Sequence, residues 1–517
     1  MTQAARAGPA RSAVLALAWN LGLPALAGAA TVFGFAPFYA WPVPLATLAV
    51  LFLVWSRCAT ARGAARSGFA FGLGLHLAGV SWVYVSLHQF GHMPALLAAL
   101  ATLLFCAYLA LFPAAAGWLA HRLGPAGLPR MLAAMPAAFV LLEWFRGWLF
   151  TGFPWLVIGY TQVPVSPLAG FAPVLGAYGV SLVVAATAAL LAAFAASRTH
   201  TRRRAVLAVG FFALLAAGGA LRLASWTAPA GAPVAVALLQ GNVAQQLKWR
   251  EDVRTRTLFD YYRQVVESGA RVVVLPETAL PAFIDQLPPG YLDALRDHAK
   301  SRGKDVLIGV VERHFSGERF SYYNSVVNVG VGGEQSYRKR HLVPFGEFIP
   351  PGFHWVLGVL RIPLTDFARG ETTQPPLVAG GTRWAVAICY EDIFGEEVID
   401  ALPGAGVLLN VSNDAWFGES LAAEQHLQFS QMRALETGRW MVRATNTGVT
   451  AAIDEKGQVA ARLAPFTQGA LAASPVPHAG STPFVRWGNY PALAFAVLAL
   501  VLVARARPDG LSRKPVK

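Results

Sequence analysis

Long apolar blocks alternate with short polar connections over most of the chain, and one broad polar region precedes the last block. An α-helix needs about 20 mostly apolar residues to cross the hydrocarbon core of a bilayer. Eight segments reach roughly that length, at 14–34, 40–56, 67–87, 94–120, 131–150, 168–197, 205–225 and 489–504. The pattern predicts a membrane bundle with seven spans in residues 1–226 and an eighth span with a tail in residues 488–517.

The polar region, residues 227–487, has the pattern of a globular domain. It begins after a Pro- and Ala-rich stretch, 227–233, that is typical of a flexible linker. Short apolar runs typical of buried strands alternate with stretches of helical periodicity. The strand-like runs are 234–239, 271–275, 305–311, 324–329, 384–388, 407–411 and 450–453, and the helical stretches are 251–268, 289–302 and 421–440. This alternation predicts a layered α/β sandwich with a mixed sheet.

The composition supports a membrane protein. Hydrophobic residues make up 55% of the chain and charged residues only 14%, against about 25% charged in soluble proteins. The net charge of +14 fits either nucleic acid or an anionic membrane surface. The basic residues gather at the ends of apolar segments and form no basic-aromatic stripe, so we expect a lipid bilayer and no nucleic acid as a partner. Three cysteines are too few for a disulfide framework.

The basic residues that flank the predicted spans fall on alternate sides. They lie before the first span, after the second, fourth and sixth, and after the eighth: Arg6, Arg11, Arg57, Arg62, Arg66, Arg122, Arg130, Arg198, Arg202, Arg203, Arg204, Arg505, Arg507, Arg513, Lys514 and Lys517. Because basic connections stay in the cytoplasm, this predicts two cytoplasmic termini and a polar region 226–488 on the far side. The first segment also resembles a cleavable signal peptide, but it is longer than the usual core of about 7–15 residues, which favours retention.

Polar and aromatic residues mark the outer end of the fifth predicted span. Glu143 and Arg146 lie one helical turn apart, which indicates either a functional cavity or an interfacial pair that neutralises itself. The aromatic residues that follow are typical of a belt at the outer membrane surface, with a lipid headgroup site as the alternative. They are Trp148, Phe150, Phe153, Trp155 and Tyr160.

A cysteine ends one of the strand-like runs in the polar region. Cys389 follows the apolar residues 385–388 and precedes Tyr390, Glu391 and Asp392. A thiol is a nucleophile only as a thiolate, so it needs a nearby base or cation. Cys58 and Cys106 lie in or beside apolar spans and are typical of small buried hydrophobes. Taken alone, Cys389 fits a nucleophile or an inert core thiol equally well.

Polar side chains follow other predicted strands in the same way. Glu277 comes directly after the apolar run 272–276, and Lys339 lies in a basic segment, 337–347. Another group lies at the end of the run 407–411 and directly after it, namely Asn410, Ser412, Asn413 and Asp414. Taken singly, Glu277 fits an ordinary glutamate on the protein surface, and Lys339 fits a run of solvated basic residues. Strand ends that converge at one edge of an α/β sheet form sites, however, so we expect these residues near Cys389.

Four motifs together resemble the Glu-Lys-Cys triad of the nitrilase superfamily. They are residues 275–278, Lys339 with 341–347, residues 389–391 and residues 412–418. More narrowly, the chain resembles the bacterial apolipoprotein N-acyltransferases over nearly its whole length. Further motifs that carry this resemblance are 35–38, 41–42, 81–86, 146–148, 151–155, 240–242 and 247–249. The resemblance implies an eight-span bundle with an extracytoplasmic, nitrilase-like αββα sandwich domain.

The resemblance also implies roles for individual residues. Cys389 is the expected nucleophile, Glu277 the general base, and Lys339 the cation that stabilises developing negative charge together with the backbone N–H of Tyr390. Supporting residues are Glu347, Tyr390, Glu391 and Trp249. Two roles stay open for Glu347, which either orients Lys339 or serves as a second acid. Candidate substrate-binding residues are Asn413, Trp416, Trp148 and Trp155.

The reaction implied by the resemblance is a two-step acyl transfer at the inner membrane of a bacterium, with the catalytic domain in the periplasm. Cys389 takes a fatty acyl chain from a phospholipid as a thioester and passes it to the α-amine of the diacylglyceryl-cysteine that begins an apolipoprotein. No cofactor and no metal are expected, because His314, His341 and His426 lack the spacing of a zinc site. A complete bundle with one attached domain fits a monomer.

Two rival functions and one structural alternative remain at this stage. A membrane-tethered amidase or nitrile hydrolase would use water in place of the amine, although the spans and the apolar segment 352–360 argue against it. A non-catalytic membrane scaffold would tolerate loss of Cys389. The segment 354–360 fits a mobile arm over a lipid entrance or a packed core helix equally well.

Overall fold

The computed structural model of the chain describes residues 17–506, except 317–318, 351 and 353–365. The first seven predicted apolar segments each contain a helix. These are α1 (Leu23–Thr31), α2 (Pro42–Arg57), α3 (Ala61–Gly79), α4 (Ala95–Leu123), α5 (Met135–Arg146), α6 (Ala172–Ala196) and α7 (Thr201–Leu221). Arg6, Arg11 and residues 14–16 lie outside the described residues.

Several of the described helices are long and apolar enough to cross a membrane. Three satisfy both criteria singly: Ala95–Leu123, Pro167–Ala196 and Thr201–Leu221. A fourth candidate is the pair Ala61–Gly79 and Val83–Phe90, which is bent by 58°. The apolar helices Pro42–Arg57 and Tyr490–Arg505 are shorter. A multi-span membrane region is therefore supported, while the number of eight spans stays a prediction.

The bend in the third segment departs from the sequence prediction of one continuous span over 67–87. The helix α3 ends at Gly79, whose added Cβ would lie 2.4 Å from Leu156 Cδ1. Beyond the bend, Ser86 Oγ donates a hydrogen bond of 2.7 Å to the carbonyl of Trp416. The second half of this segment is therefore held against the polar domain.

The polar region contains two six-stranded mixed sheets. The first sheet has the order β13-β2-β3-β4-β5-β6 and the second β12-β11-β10-β9-β8-β7. Their strands are β2 (Val236–Gln240), β3 (Val272–Val274), β4 (Asp305–Ser316), β5 (Arg319–Asn328), β6 (Gln335–Arg338), β7 (Leu377–Ala379), β8 (Thr382–Ile388), β9 (Val407–Ser412), β10 (Met441–Thr445), β11 (Ala451–Ile453), β12 (Val459–Arg462) and β13 (Gly469–Ala473). In both sheets the central pairs are parallel and the outer pairs antiparallel. The predicted mixed sheet is confirmed.

The two sheets pack face to face and carry helices on their outer faces. Val236 and Val274 of the first sheet share one apolar cluster with Trp384 and Leu409 of the second. The longer described helices of this domain are α8 (Glu251–Glu267), α9 (Tyr291–Ser301) and α10 (Ala422–Thr437). α8 and α9 cover the first sheet and α10 the second. This αββα layering is the fold of the nitrilase-like domain.

The predicted flexible linker at 227–233 is wrong over its first residues. Thr227–Pro229 forms strand β1, which pairs antiparallel with β14 (His478–Gly480). After β14 the chain enters the last apolar helix, α11 (Tyr490–Arg505). The two connections between bundle and domain are therefore fastened to each other, which limits how far the domain can turn on the bundle.

Helix α10 lies between the second sheet and the bundle. Gln425 Oε1 accepts hydrogen bonds from the indole N–H groups of Trp82 (3.3 Å) and Trp155 (2.7 Å). Glu436 Oε1 accepts a bond of 2.6 Å from the backbone N–H of Ala177, directly after Gly176 (φ +70°) interrupts α6. All residues of α10 except Glu424 are buried, because one face packs on strands and the other on the bundle.

Only some residues of the predicted aromatic belt are exposed, as a belt at the membrane surface requires. Trp148 and Phe150 are exposed, at 50% and 78%, but Trp155 and Tyr160 are 2% and 1% exposed. Arg146 draws the connecting loop inward, since its Nη1 donates to the carbonyl groups of Phe153 (2.7 Å) and Trp155 (2.6 Å). Glu143 Oε1 accepts from Ile158 N (2.8 Å). These two charged side chains thus fix the backbone of that loop.

Candidate active site

Cys389 lies at the point where β8 ends and the 3₁₀ turn Cys389–Ile393 begins. Its φ of +54° is uncommon for a residue with a side chain and requires support from its surroundings. Its carbonyl accepts hydrogen bonds from Asn410 Nδ2 (3.1 Å) and His426 Nε2 (3.2 Å). The side chain is partly exposed. The turn therefore presents the thiol at the strand end, as an accessible nucleophile requires.

Glu277 and Lys339 meet at the same edge of the domain. Glu277 follows β3, Lys339 follows β6, and Glu347 lies on the segment beyond Lys339. Lys339 Nζ is 2.8 Å from Glu347 Oε1 and 3.5 Å from Glu277 Oε1, and the ammonium is almost fully buried. Asn324 Nδ2 donates to both carboxylates, at 2.7 Å to Glu277 and 3.0 Å to Glu347.

The charges of this group act on Cys389. Burial and the negative charge of Glu277 raise the pKa of the Cys389 thiol well above its usual value, although Lys339 acts in the opposite direction. Burial disfavours the ammonium of Lys339, but Glu347, Glu277 and Cys389 outweigh burial and raise its pKa. The resting site therefore holds a protonated thiol beside a carboxylate and a permanent cation. A base must remove the thiol proton before the sulfur can attack.

Glu391 and Tyr390 fix the turn that carries Cys389. The buried carboxylate of Glu391 accepts from the backbone N–H groups of Ile388 (2.7 Å), Arg340 (2.7 Å) and His341 (3.1 Å). It thus joins the nucleophile strand to the residues next to Lys339. Tyr390 is buried, and its hydroxyl donates to the carbonyl of Gly152 in the bundle (3.1 Å). These contacts hold the turn against both neighbours.

A buried ion cluster beneath Cys389 was missed in the sequence. It consists of Asp392, Asp414, His426 and Arg443, which come from four different elements and are at most 1% exposed. His426 lies 3.0 Å from Asp392 Oδ1 and 2.9 Å from Asp414 Oδ1, and Arg443 donates to the second oxygen of each aspartate. His426 was considered only as a metal ligand. The feature of the sequence that could have placed His426 near Cys389 is its position on the helical stretch that follows Asp414.

The remaining predicted residues occupy several different positions. Asn413 is buried and bonds to Gln245 (2.9 Å) and Asn446 (3.0 Å), so it supports the loop before α8. The Trp416 ring packs on Phe90 at 5.9 Å. Trp155 lies behind His426, with ring centroids 6.0 Å apart. Trp249, at 40% exposed, and the exposed Trp148 complete the set. Binding roles for these residues stay predictions.

Two further buried polar residues extend the site beyond the predicted set. Asn324 bridges the two carboxylates, as described above. Lys248, next to the predicted Trp249, is 2% exposed and donates to Thr278 Oγ1 (2.8 Å). Burial lowers the pKa of Lys248 to about 8, although the nearby Glu277 acts against this. In the sequence, Asn324 is indicated only as a polar residue at the start of an apolar strand-like run. Lys248 is indicated only by its position beside Trp249.

The described residues contain no group of three or more His, Cys, Asp or Glu side chains that could hold a metal ion. The proposed arm, 354–360, lies outside the described residues, so its two alternatives stay open.

The stability of the domain is expected to fall at alkaline pH through His426. Burial and Arg443 oppose its charge, but Asp392 and Asp414 outweigh them and raise its pKa from 6.5 to about 9. The stabilisation is complete below pH 6.5 and is lost as the pH rises through 9, with a limit of about 3 kcal/mol. Thermal unfolding of the detergent-solubilised chain between pH 6 and 10 measures it. The His426→Gln variant should lack this pH-dependent part, and equal pH profiles would contradict the assignment.

Known proteins are similar to both halves of the chain. Residues 27–190 match the family described as apolipoprotein N-acyltransferase N-terminal domain, and residues 235–477 match the carbon-nitrogen hydrolase family. The apolipoprotein N-acyltransferase of Nitrosomonas europaea is 52% identical over 482 residues, covering 92% of this chain and 95% of the relative. That of Chromobacterium violaceum is 46% identical over 506 residues, covering 96% of each.

Among solved structures, the NitFhit protein of C. elegans is similar with a TM-score of 0.38 and 16% identity, over 54% of this chain and 66% of that one. The full-length relatives carry the assignment. They cover 92% and 96% of this chain, and the motifs of the candidate site lie within residues 235–477, which match the carbon-nitrogen hydrolase family. This chain belongs to the apolipoprotein N-acyltransferase family.

Proposed function

We propose that this chain is an acyltransferase that moves a fatty acyl chain from a membrane phospholipid to the α-amine of the N-terminal diacylglyceryl-cysteine of apolipoproteins. Membership of the family supports the activity. The observation that carries the mechanism is the buried Lys339 ammonium, in contact with Glu277 and Glu347 and in electrostatic contact with Cys389. An acyl transfer through a cysteine needs a base, a cation and a thiol in this arrangement.

In the first half-reaction, the Cys389 sulfur attacks the carbonyl carbon of a phospholipid ester while Glu277 accepts the thiol proton. The carbonyl oxygen becomes negatively charged, and the Lys339 ammonium with the Tyr390 N–H stabilises it. Tyr390 is the second residue of a short helix, and the first amides of a helix have no partner within it. The carbon–oxygen bond then breaks, Glu277 returns the proton to the departing oxygen, and a lysophospholipid leaves.

In the second half-reaction, the neutral α-amine of the apolipoprotein attacks the thioester carbonyl. Glu277 accepts a proton from the attacking nitrogen, the carbon–sulfur bond breaks, and the same proton restores the Cys389 thiol. Cys389 packs against the apolar cluster that also contains bundle residues such as Trp155 and Tyr160, together with Val343 and Phe417 of the domain. Such surroundings accommodate an acyl chain and slow attack by water.

The contacts of Glu347 favour the orienting role over that of a second acid. Its Oε1 accepts from Lys339 and Asn324, and its Oε2 accepts from the backbone N–H of Val343 (2.8 Å). Both oxygens of Glu347 thus face donors that hold the side chain in place. We assign Glu277, which has the longer contact with Lys339, the proton transfers.

The chain is proposed to have three parts: a bundle of seven spans in 1–226, a catalytic domain in 227–487, and an eighth span with a tail in 488–517. The bundle lies in the bacterial inner membrane, with the catalytic domain in the periplasm and both termini in the cytoplasm. The helices in each predicted segment and the alternating basic residues support this arrangement. Both substrates are lipids of the outer leaflet, so the two anchors keep the site at their level. A monomer is sufficient.

Incubation of the purified chain with phospholipid, without an apolipoprotein, tests the proposed function. We expect intact-mass analysis to show one acyl group in place of the Cys389 hydrogen, with release of one lysophospholipid. Addition of a diacylglyceryl peptide should then discharge the acyl group onto the peptide amine. Consumption of phospholipid with no mass increase at Cys389 would exclude the thioester, and release of free fatty acid alone would favour a hydrolase.

Labelling of spheroplasts tests the proposed orientation. In a Cys58→Ala, Cys389→Ala background, an impermeant maleimide should label Ser301→Cys on α9 of the domain. It should not label Thr201→Cys, at the start of α7, until the membrane is permeabilised. Both native residues are exposed, so accessibility reports the side of the membrane. Labelling of Thr201→Cys alone in intact spheroplasts would reverse the orientation.

A further inference from the structure

The buried ion cluster beneath Cys389 makes a direct contact with the nucleophile's backbone. His426 Nδ1 faces Asp414 Oδ1 (2.9 Å), while His426 Nε2 faces both Asp392 Oδ1 (3.0 Å) and the carbonyl oxygen of Cys389 (3.2 Å). All three partners are acceptors, so each ring nitrogen carries a proton and donates it. The imidazolium thus contributes a charge-assisted hydrogen bond to the carbonyl group of Cys389, within the turn that presents the thiol.

Other members of the cluster support the same turn. Arg443 donates to Asp392 Oδ2 (3.2 Å), to Asp414 Oδ2 (3.0 Å) and to Asn410 Oδ1 (3.1 Å). Asn410 in turn donates to the Cys389 carbonyl through Nδ2. Two carboxylates, one imidazolium and one guanidinium give a neutral cluster, which is the condition for burying four charged groups together.

Ser412 connects the cluster to the thiol itself. Its hydroxyl donates to Asp414 Oδ1 (2.8 Å), and its proximity to the Cys389 side chain acts to lower the pKa of the thiol. The same aspartate therefore fixes both His426, which holds the carbonyl of Cys389, and Ser412, which lies beside its sulfur.

We propose that His426 is a positioning residue for the acyl transfer, which holds the left-handed turn of Cys389 by donating from Nε2 to its carbonyl while Asp392 and Asp414 fix the ring. This inference rests on the proposed function. His426 does not touch the reacting atoms. Its loss shifts the sulfur relative to Glu277 and Lys339, and a displacement of about 1 Å in such a site costs on the order of 100-fold in rate.

Two substitutions of His426 distinguish the contribution of Nε2 from that of Nδ1. The amide of His426→Gln reaches the position of Nε2 and keeps a donor for Cys389, whereas that of His426→Asn reaches only the position of Nδ1. We expect the rate of Cys389 acylation per folded enzyme to fall about 100-fold in His426→Asn and about 10-fold or less in His426→Gln. The KM for phospholipid should change less than about twofold, since ground-state binding is not affected.

The matched control is Gln431→Asn on the same helix. Gln431 is equally buried and donates to the carbonyl of Gly457 (2.9 Å), away from Cys389. We expect it to lower the unfolding temperature and to leave acylation per folded enzyme unchanged. If His426→Asn behaves like this control, or if both His426 variants lose the same activity, the positioning role is excluded.

Alkylation of Cys389 by iodoacetamide distinguishes failure of this inference from failure of the proposed function, because it needs no lipid. Peptide mass analysis separates Cys389 from Cys58 and Cys106. We expect alkylation at Cys389 to slow in His426→Asn and to stay closer to the wild-type rate in His426→Gln. Unchanged alkylation in both variants would overturn the positioning role, whatever the acyl-transfer assay shows.

Discussion

Replacement of Cys389 by alanine is expected to abolish acyl transfer entirely. Without the sulfur, no thioester forms, and Glu277 and Lys339 have no covalent intermediate on which to act. Loss of a catalytic nucleophile lowers turnover by about 10⁴-fold or more, which places the variant below detection in a phospholipid-to-peptide assay. The side chain is small and partly exposed, so the unfolding temperature should change little.

Serine at position 389 provides a stricter version of the same test. Its hydroxyl has nearly the shape of the thiol but is far harder to deprotonate, so a Glu277 base is insufficient. We expect Cys389→Ser to bind phospholipid and to accumulate no acyl-enzyme. Alanine at Cys58 and Cys106 gives the matched controls, because both thiols lie in the bundle and should be dispensable for turnover. Activity retained in Cys389→Ala would favour the scaffold hypothesis.

Glu277 and Cys389 could be located because each follows an apolar strand, a position that is visible in the sequence. Lys339 follows the short polar strand β6, so only its motif indicated it. The three residues are separated by dozens of residues, and the sheets bring them to one edge, Glu277 and Cys389 after parallel central strands and Lys339 after an antiparallel edge strand. From its position in the sequence alone, Lys339 is one residue of a basic run, and no role can be assigned to it. Its burial between two carboxylates depends on Glu347 and Asn324, which come from different segments.

The ion cluster could not be predicted, because periodicity assumes that one face of a helix meets water. Helix α10 carries Gln425, His426 and Gln428, which on a surface helix would be solvated. Here the second face packs on the bundle, so these polar side chains are buried. Gln425 and Gln428 find partners on the bundle, whereas His426 finds its partners within the domain. Trp155 shows the same effect, since the contacts of Arg146 draw its loop inward from the membrane surface where the aromatic pattern placed it.

Replacement of Lys339 by methionine is expected to cost both activity and stability. The ammonium lies between Glu347 and Glu277, and its removal leaves two buried carboxylates facing each other without a cation. Breaking a buried ion pair in this way costs about 3–5 kcal/mol, although protonation of one carboxylate relieves part of it. Loss of the oxyanion donor lowers the acylation rate by a further factor of about 100–1000 in the folded fraction.

Lys304→Met is the matched control for the Lys339→Met variant. Lys304 is also largely buried and donates to the carbonyl of Ser268, but it lies at the start of β4, away from the triad. We expect it to lower the unfolding temperature without changing the acylation rate per folded enzyme. If the Lys339→Met variant acylates Cys389 at the wild-type rate, the ammonium serves only to neutralise Glu277 and Glu347. The backbone N–H of Tyr390 then suffices to stabilise the oxyanion.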